Sequence, residues 1–61
     1  MNLNLYYVTG YHFKNNEWWR FVLTSQSETT AEREIMDHHS QLSRVSARYI
    51  CETNEEIFQE L

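Results

Sequence analysis

A chain of 61 residues, 41% hydrophobic and 15% aromatic, has the composition of a folded domain and not of a disordered tail. Folding at this length buries only about 60% of the surface the unfolded chain exposes, and a single cysteine, Cys51, excludes an internal disulfide, so partnership becomes the favoured support. Nine Asp/Glu against five Lys/Arg give a net charge of −4, which disfavours generic binding to phosphate backbones and suits a basic or mixed protein surface.

No proline and one glycine argue against linkers, so residues 1–61 read as a single small domain. Met1 to Leu5 lacks a basic segment followed by an apolar run, and no signal peptide is expected. The longest apolar-rich stretch, Trp18 to Leu23, is interrupted by Arg20 and falls far short of the roughly 20 residues a membrane helix needs. A cytoplasmic protein is expected, and a lone cysteine fits a reducing compartment.

Residues 3–13 and 18–24 are rich in aromatic and β-branched side chains and predict two strands, a hairpin over 3–24. Between them Asn15-Asn16 can take the positive φ values of a two-residue type I′ turn. That turn pairs Lys14 with Glu17, Phe13 with Trp18, His12 with Trp19, Tyr11 with Arg20, Gly10 with Phe21 and Val8 with Leu23. An opposite-charge pair then closes the turn and a large aromatic covers the glycine.

Thr29-Thr30-Ala31-Glu32 matches a capping box and predicts a helix over 29–42. Ala31, Ile35, His38 and Leu42 form its apolar stripe, with Glu32, Arg33, Asp37 and Gln41 mainly elsewhere. Arg44 to Cys51 alternates, predicting a third strand over 44–52 with Val45, Ala47, Tyr49 and Cys51 on one face. Thr53-Asn54-Glu55-Glu56, followed by Ile57, Phe58 and Leu61, predicts a short C-terminal helical segment over 54–61. The expected fold is α+β: a three-stranded, mainly antiparallel sheet in ββαβ order, strand order 2-1-3, one helix on one face and a C-terminal helical turn.

The helix-side face then carries Tyr6, Val8, His12, Trp19, Phe21, Leu23, Val45, Ala47, Tyr49 and Cys51. The opposite face carries Leu5, Tyr7, Thr9, Tyr11, Phe13, Trp18, Arg20, Val22, Arg44, Arg48 and Ile50, which gathers four aromatics and three of the five cations. Aromatics with arginine are the composition of interaction hot spots. The candidate partner-binding residues are therefore Tyr7, Tyr11, Phe13, Trp18, Arg20 and Arg48. Glu32, Glu34, Asp37, Glu55 and Glu56 form a secondary acidic surface, either a solvated face or an imitation of nucleic-acid charge.

No catalytic signature is present, so no enzymatic activity is expected. Adjacent His38 and His39 point about 100° apart on a helix, and no Cys-x-x-Cys or His-x-x-x-His spacing occurs, so no metal or cofactor is expected. His38 reads as a core-boundary residue, His39 as a surface one, and Cys51 as a buried inert thiol.

In size, charge and strand order the chain resembles the small acidic single-domain proteins that bacteriophages and mobile elements use to block host machinery, anti-CRISPR proteins among them. That resemblance implies a non-enzymatic binding protein, an inhibitor or modulator of a larger host protein or nucleoprotein complex. Two alternatives use the same face: a single-stranded nucleic-acid-binding module that stacks bases on the aromatics, and a structural homodimer.

Overall fold

The computed structural model describes residues 3–61; Met1 and Asn2 lie outside them. Strands β1 (Leu3–His12) and β2 (Glu17–Ser25) form the hairpin, helix α1 (Glu28–His38) follows, and strands β3 (Leu42–Thr53) and β4 (Phe58–Glu60) complete the chain. They make one four-stranded sheet in the order β3-β1-β2-β4. All pairings are antiparallel, so β2 and β3 run in the same direction with β1 between them.

The hairpin register differs from the expected one by two residues: His12 opposes Glu17, Tyr11 opposes Trp18 and Gly10 opposes Trp19. Its cause lies in the turn. Of the two asparagines only Asn16 takes a positive φ, 55°, so a type I′ turn, which needs two, does not form. Phe13 to Asn16 instead make a four-residue turn, closed by the Asn15 N–H donating to the His12 carbonyl at 3.2 Å. The same N–H lies 3.3 Å from His12 Nδ1, and the Tyr11 hydroxyl donates to Asn16 Oδ1 at 2.7 Å. Lys14 and Phe13 are thus turn residues that pair with neither Glu17 nor Trp18. A slip of two leaves every strand residue on its expected face, whereas a slip of one would have inverted them all.

Strand β3 carries two irregularities. Ser43 pairs with Tyr11 and Ser46 with Thr9, so Arg44 and Val45 together oppose Gly10, and Arg44 sits at φ 54°. This bulge brings Leu42 and Val45 over Gly10, where a Cβ would lie 3.1 Å from Leu42 Cδ1 and 3.4 Å from Val45 Cγ2. Gly10 is therefore covered from β3, not by Phe21. Further on, Tyr49 pairs with Tyr6 but Cys51 pairs with Leu5, leaving Ile50 as an extra residue. The second shift turns Cys51 to the face opposite the helix, where it is exposed; the strict alternation that placed it in the core fails at Ile50.

Helix α1 starts two residues before the expected capping threonine. Ser27 is the N-cap, its Oγ accepting the Thr30 N–H at 3.1 Å. Glu32 is thereby freed from a capping role and its carboxylate accepts the Ala47 N–H of β3 at 3.0 Å. The helix ends at His38, four residues early, because Leu42 is needed as a strand residue over Gly10. Ala31 and Ile35 are fully buried and pack with Tyr6, Val8, Phe21, Leu23, Leu42 and Ala47 as the core. The two histidines exchange their expected places. His39 is half-buried, its ring 5.4 Å from Trp19 and 5.3 Å from Phe21, while His38 is exposed with its ring 5.4 Å from Phe58.

The C-terminal segment is a strand and not a helix. Residues 54–57 carry the chain from β3 at one edge of the sheet to the other edge, where β4 pairs Phe58 with Leu23, Gln59 with Val22 and Glu60 with Phe21. The Thr24 N–H donates to the Ile57 carbonyl and the Leu61 N–H to the Arg20 carbonyl, both at 2.9 Å. An open edge of β2 satisfies these backbone groups, which a lone terminal helical turn would leave largely to water. No helix among the described residues is long and apolar enough to cross a membrane.

Candidate partner-binding face

The pairings define rows across the face opposite the helix. Tyr7 has Arg48 on its β3 side and Val22 on its β2 side; Thr9 has Ser46 and Arg20; Tyr11 has Ser43 and Trp18. Five of the six candidate residues, Tyr7, Tyr11, Trp18, Arg20 and Arg48, therefore share this face. Phe13 does not join them, because the four-residue turn takes it out of the strand, where it is 52% exposed. Arg44 lies in the bulge and Ile50 at the second shift, so neither belongs to these rows.

Tyr11 and Trp18 face each other directly with ring centroids 5.3 Å apart and planes at 59°. Their contact leaves Trp18 57% exposed, an indole held in place at its tyrosine side and open on the other. Tyr7, Thr9, Tyr11 and Val22 are half-buried by their strand neighbours, while Arg20, Ser46 and Arg48 stand exposed. Between β1 and β3 the side chains of Tyr7, Thr9, Ser46 and Arg48 line a notch of about 300 Å³. Nothing crosses this face among the described residues, because the C-terminal segment adds to the sheet edge in place of folding back over it.

Charge is sorted between the two sides of the sheet. Among the described residues, no Asp or Glu holds an outer position in any strand: Glu17 pairs with His12, Glu52 with Asn4 and Glu60 with Phe21, all on the helix side. The remaining acids sit on α1 or in the 54–57 link. Among the described residues the outer face thus carries Arg20 and Arg48 with no Asp or Glu side chain of its own to pair with.

The secondary acidic surface is not one patch. Glu32 is occupied by the Ala47 amide. Glu34 and Glu56 line a depression of about 280 Å³ with Thr24, Ile57 and Phe58, while Asp37 and Glu55 are exposed. A second depression, of about 230 Å³, is lined by His12, Trp19, His38, His39, Ser40 and Gln41. Within it His12 is buried and stacks on Trp19 at 4.7 Å, its Nε2 is 2.8 Å from Gln41 Oε1, and its Nδ1 faces the Asn15 N–H. With Nδ1 accepting, the ring proton lies on Nε2 and is donated to Gln41; both nitrogens are spent on structure. Among the described residues no three His, Cys, Asp or Glu side chains converge as metal ligands.

Sequence alone gives no signal for Ser46 and places Thr9 on the face without a role. Direct opposition of Thr9 to Ser46, set by the bulge at Arg44, is what brings them to one notch. Comparison of the chain with protein-family models, with curated proteins and with solved structures gives no match.

Proposed function

We propose that the chain is a non-enzymatic protein-binding module that docks its outer sheet face onto a larger protein or nucleoprotein complex and modulates or blocks it. One observation carries the reading: among the described residues, an uncovered sheet face combines an open indole packed on a tyrosine with two arginines and presents no Asp or Glu side chain. Trp, Tyr and Arg supply most of the affinity in protein interfaces, the rings by desolvated area and the guanidinium by forked hydrogen bonds. The same charge pattern argues against pairing of two copies through this face. A two-fold contact would gather the arginines of both copies into one interface with no Asp or Glu side chain of that face to offset them. A polyanion is opposed by the net charge of −4.

The test is a photo-cross-linking residue in place of Trp18, with the same residue in place of exposed Asp37 as control. Each captured protein is then purified and its affinity measured directly. A partner of this face is captured from position 18 and not 37, and loses ten-fold or more in affinity on Trp18→Ala. Capture from position 37 alone, with affinity indifferent to Trp18→Ala and Arg20→Ala, refutes the outer face as the docking surface.

A further inference from the structure

We infer that the notch between β1 and β3 is a carboxylate subsite: it receives an Asp or Glu side chain of the bound protein on Arg48, Ser46, Thr9 and Tyr7. The inference rests on the outer face being the docking surface and names the chemistry of what docks there.

Its geometry comes from two cross-strand pairs. Tyr7 stands directly opposite Arg48 and Thr9 directly opposite Ser46. Such pairs set Cβ atoms about 5 Å apart across the strands and about 7 Å apart along them, a quadrilateral sized for one planar anion. The half-buried Tyr7 and Thr9 form the floor, and the exposed Ser46 and Arg48 the rim. Every polar group in it can donate: a guanidinium with five N–H bonds and three hydroxyls. None of the four is an obligate acceptor.

The notch is also held in shape. It occupies the four residues, Ser46 to Tyr49, that stay in register with β1 between the two irregularities of β3. Bulges bend and twist the strand that carries them, which curves β3 at both ends of this window. Behind it, the Ala47 amide is fixed to Glu32 of the helix. That bond also occupies an amide of the long edge strand, so the edge is less able to pair with an added strand and the face is left as the route of approach.

Charge selects the occupant. The Arg48 guanidinium has no Asp or Glu side chain on its own face among the described residues. An anion presented singly, on a protein surface, meets Arg48 and the hydroxyls. A continuous phosphate backbone, whose many charges extend beyond this face, is opposed at long range by the net charge of −4.

The experiment titrates the full isotope-labelled chain by nuclear magnetic resonance with glutarate, a dicarboxylate that mimics the acidic side chain, and in parallel with inorganic phosphate and oligothymidylate. Glutarate is expected to shift the Arg48 Nε–H and the Ser46 and Thr9 amides along one saturable curve. Arg48→Gln should weaken that curve at least five-fold, and Arg20→Gln should leave it within two-fold. The dispersed spectrum of each variant reports that it is folded. The subsite is overturned if shifts of equal size appear at every cationic side chain, if Arg48→Gln leaves the curve unchanged, or if oligothymidylate saturates the same residues more tightly at physiological salt. These outcomes leave the wider docking surface standing, since that is decided by cross-linking at position 18 and by Trp18→Ala.

Discussion

The carboxylate of Glu32 accepts the backbone N–H of Ala47 at 3.0 Å, a bond between the second turn of α1 and the middle of β3. It joins the helix to an edge strand whose side chains are mostly exposed and which has few apolar anchors of its own. A charge-assisted bond in a half-buried setting contributes about 1.5–3 kcal/mol. Alanine returns a few tenths of that through its higher helix propensity, so Glu32→Ala should lower stability by about 1–2.5 kcal/mol in urea, and Glu32→Gln, which keeps an acceptor, by less. Hydrogen exchange at the Ala47 amide should accelerate in Glu32→Ala; an unchanged rate there would show that the bond does not hold in solution.

Gly10 is the site where backbone freedom and packing compete. Alanine would gain about 0.5–1 kcal/mol from a stiffer unfolded chain. Its Cβ would meet Leu42 Cδ1 at 3.1 Å and Leu42 Cβ at 3.3 Å, and overpacking costs about 1–3 kcal/mol. The Leu42 methyl can swing away but its Cβ cannot, so Gly10→Ala should be net destabilising. Gly10→Ala combined with Leu42→Ala should show a favourable coupling in a double-mutant cycle by thermal melting; strict additivity would remove the packing account.

The turn makes the two asparagines unequal. Asn16 alone has positive φ and accepts the Tyr11 hydroxyl, so Asn16→Ala should cost about 1–2 kcal/mol. Asn16→Gly should recover the backbone part of that loss. Asn15→Ala should cost well under half as much, because only its backbone N–H is used. Equal losses at both positions, measured by chemical denaturation, would point back to a type I′ turn.

At the centre of the helix-sheet contact, Ile35 is fully buried among Val8, Phe21 and Leu23. Ile35→Ala should cost about 2–5 kcal/mol, a large share of the total for so small a domain. Trp18→Ala, at an exposed position, should change stability by no more than about 0.5–1 kcal/mol. If Trp18→Ala instead unfolds the chain in urea as readily as Ile35→Ala, the indole is structural and its loss of binding is uninformative.

Light scattering coupled to size exclusion gives the fifth test. The outer face lacks Asp and Glu side chains to pair with its arginines, so the mass should be that of one 7.5 kDa chain at 0.1 M salt, where their repulsion is least screened. A dimer that Trp18→Ala converts to monomer would assign the face to self-association.

Much of the site could be read from alternation alone, and the reason is parity. The hairpin register differs by two residues, so Tyr7, Tyr11, Trp18 and Arg20 keep their face although every pairing changes. Parity fails where a strand gains a residue. Nothing in the apolar alternation of Tyr49-Ile50-Cys51 signals that Ile50 is unpaired, and alternation therefore puts Cys51 on the wrong face. The turn departs from expectation because Asn15-Asn16 permits type I′, while the competing bonds come from the side chains of His12 and Tyr11 outside the turn. At the C-terminus, Thr53-Asn54-Glu55-Glu56 has the composition of a helix start; what decides against it is the vacant edge of β2, a tertiary fact with no local signature. Ser46 stayed unmarked because its role depends on which residue of β1 it opposes.

The link between the two edges of the sheet has almost no slack. From Thr53 to Phe58 the backbone takes five steps, which span at most about 17 Å when fully extended, while three inter-strand spacings amount to about 14 Å. Residues 54–57 thus behave as a short tether drawn across the end of the sheet, and the last strand is tied to the first edge by length as well as by hydrogen bonds. Lengthening the tether with glycine should leave β4 in place. Shortening it by one residue should pull β4 off and expose the edge of β2, turning a chain with two protected borders into one with a border open to its neighbours.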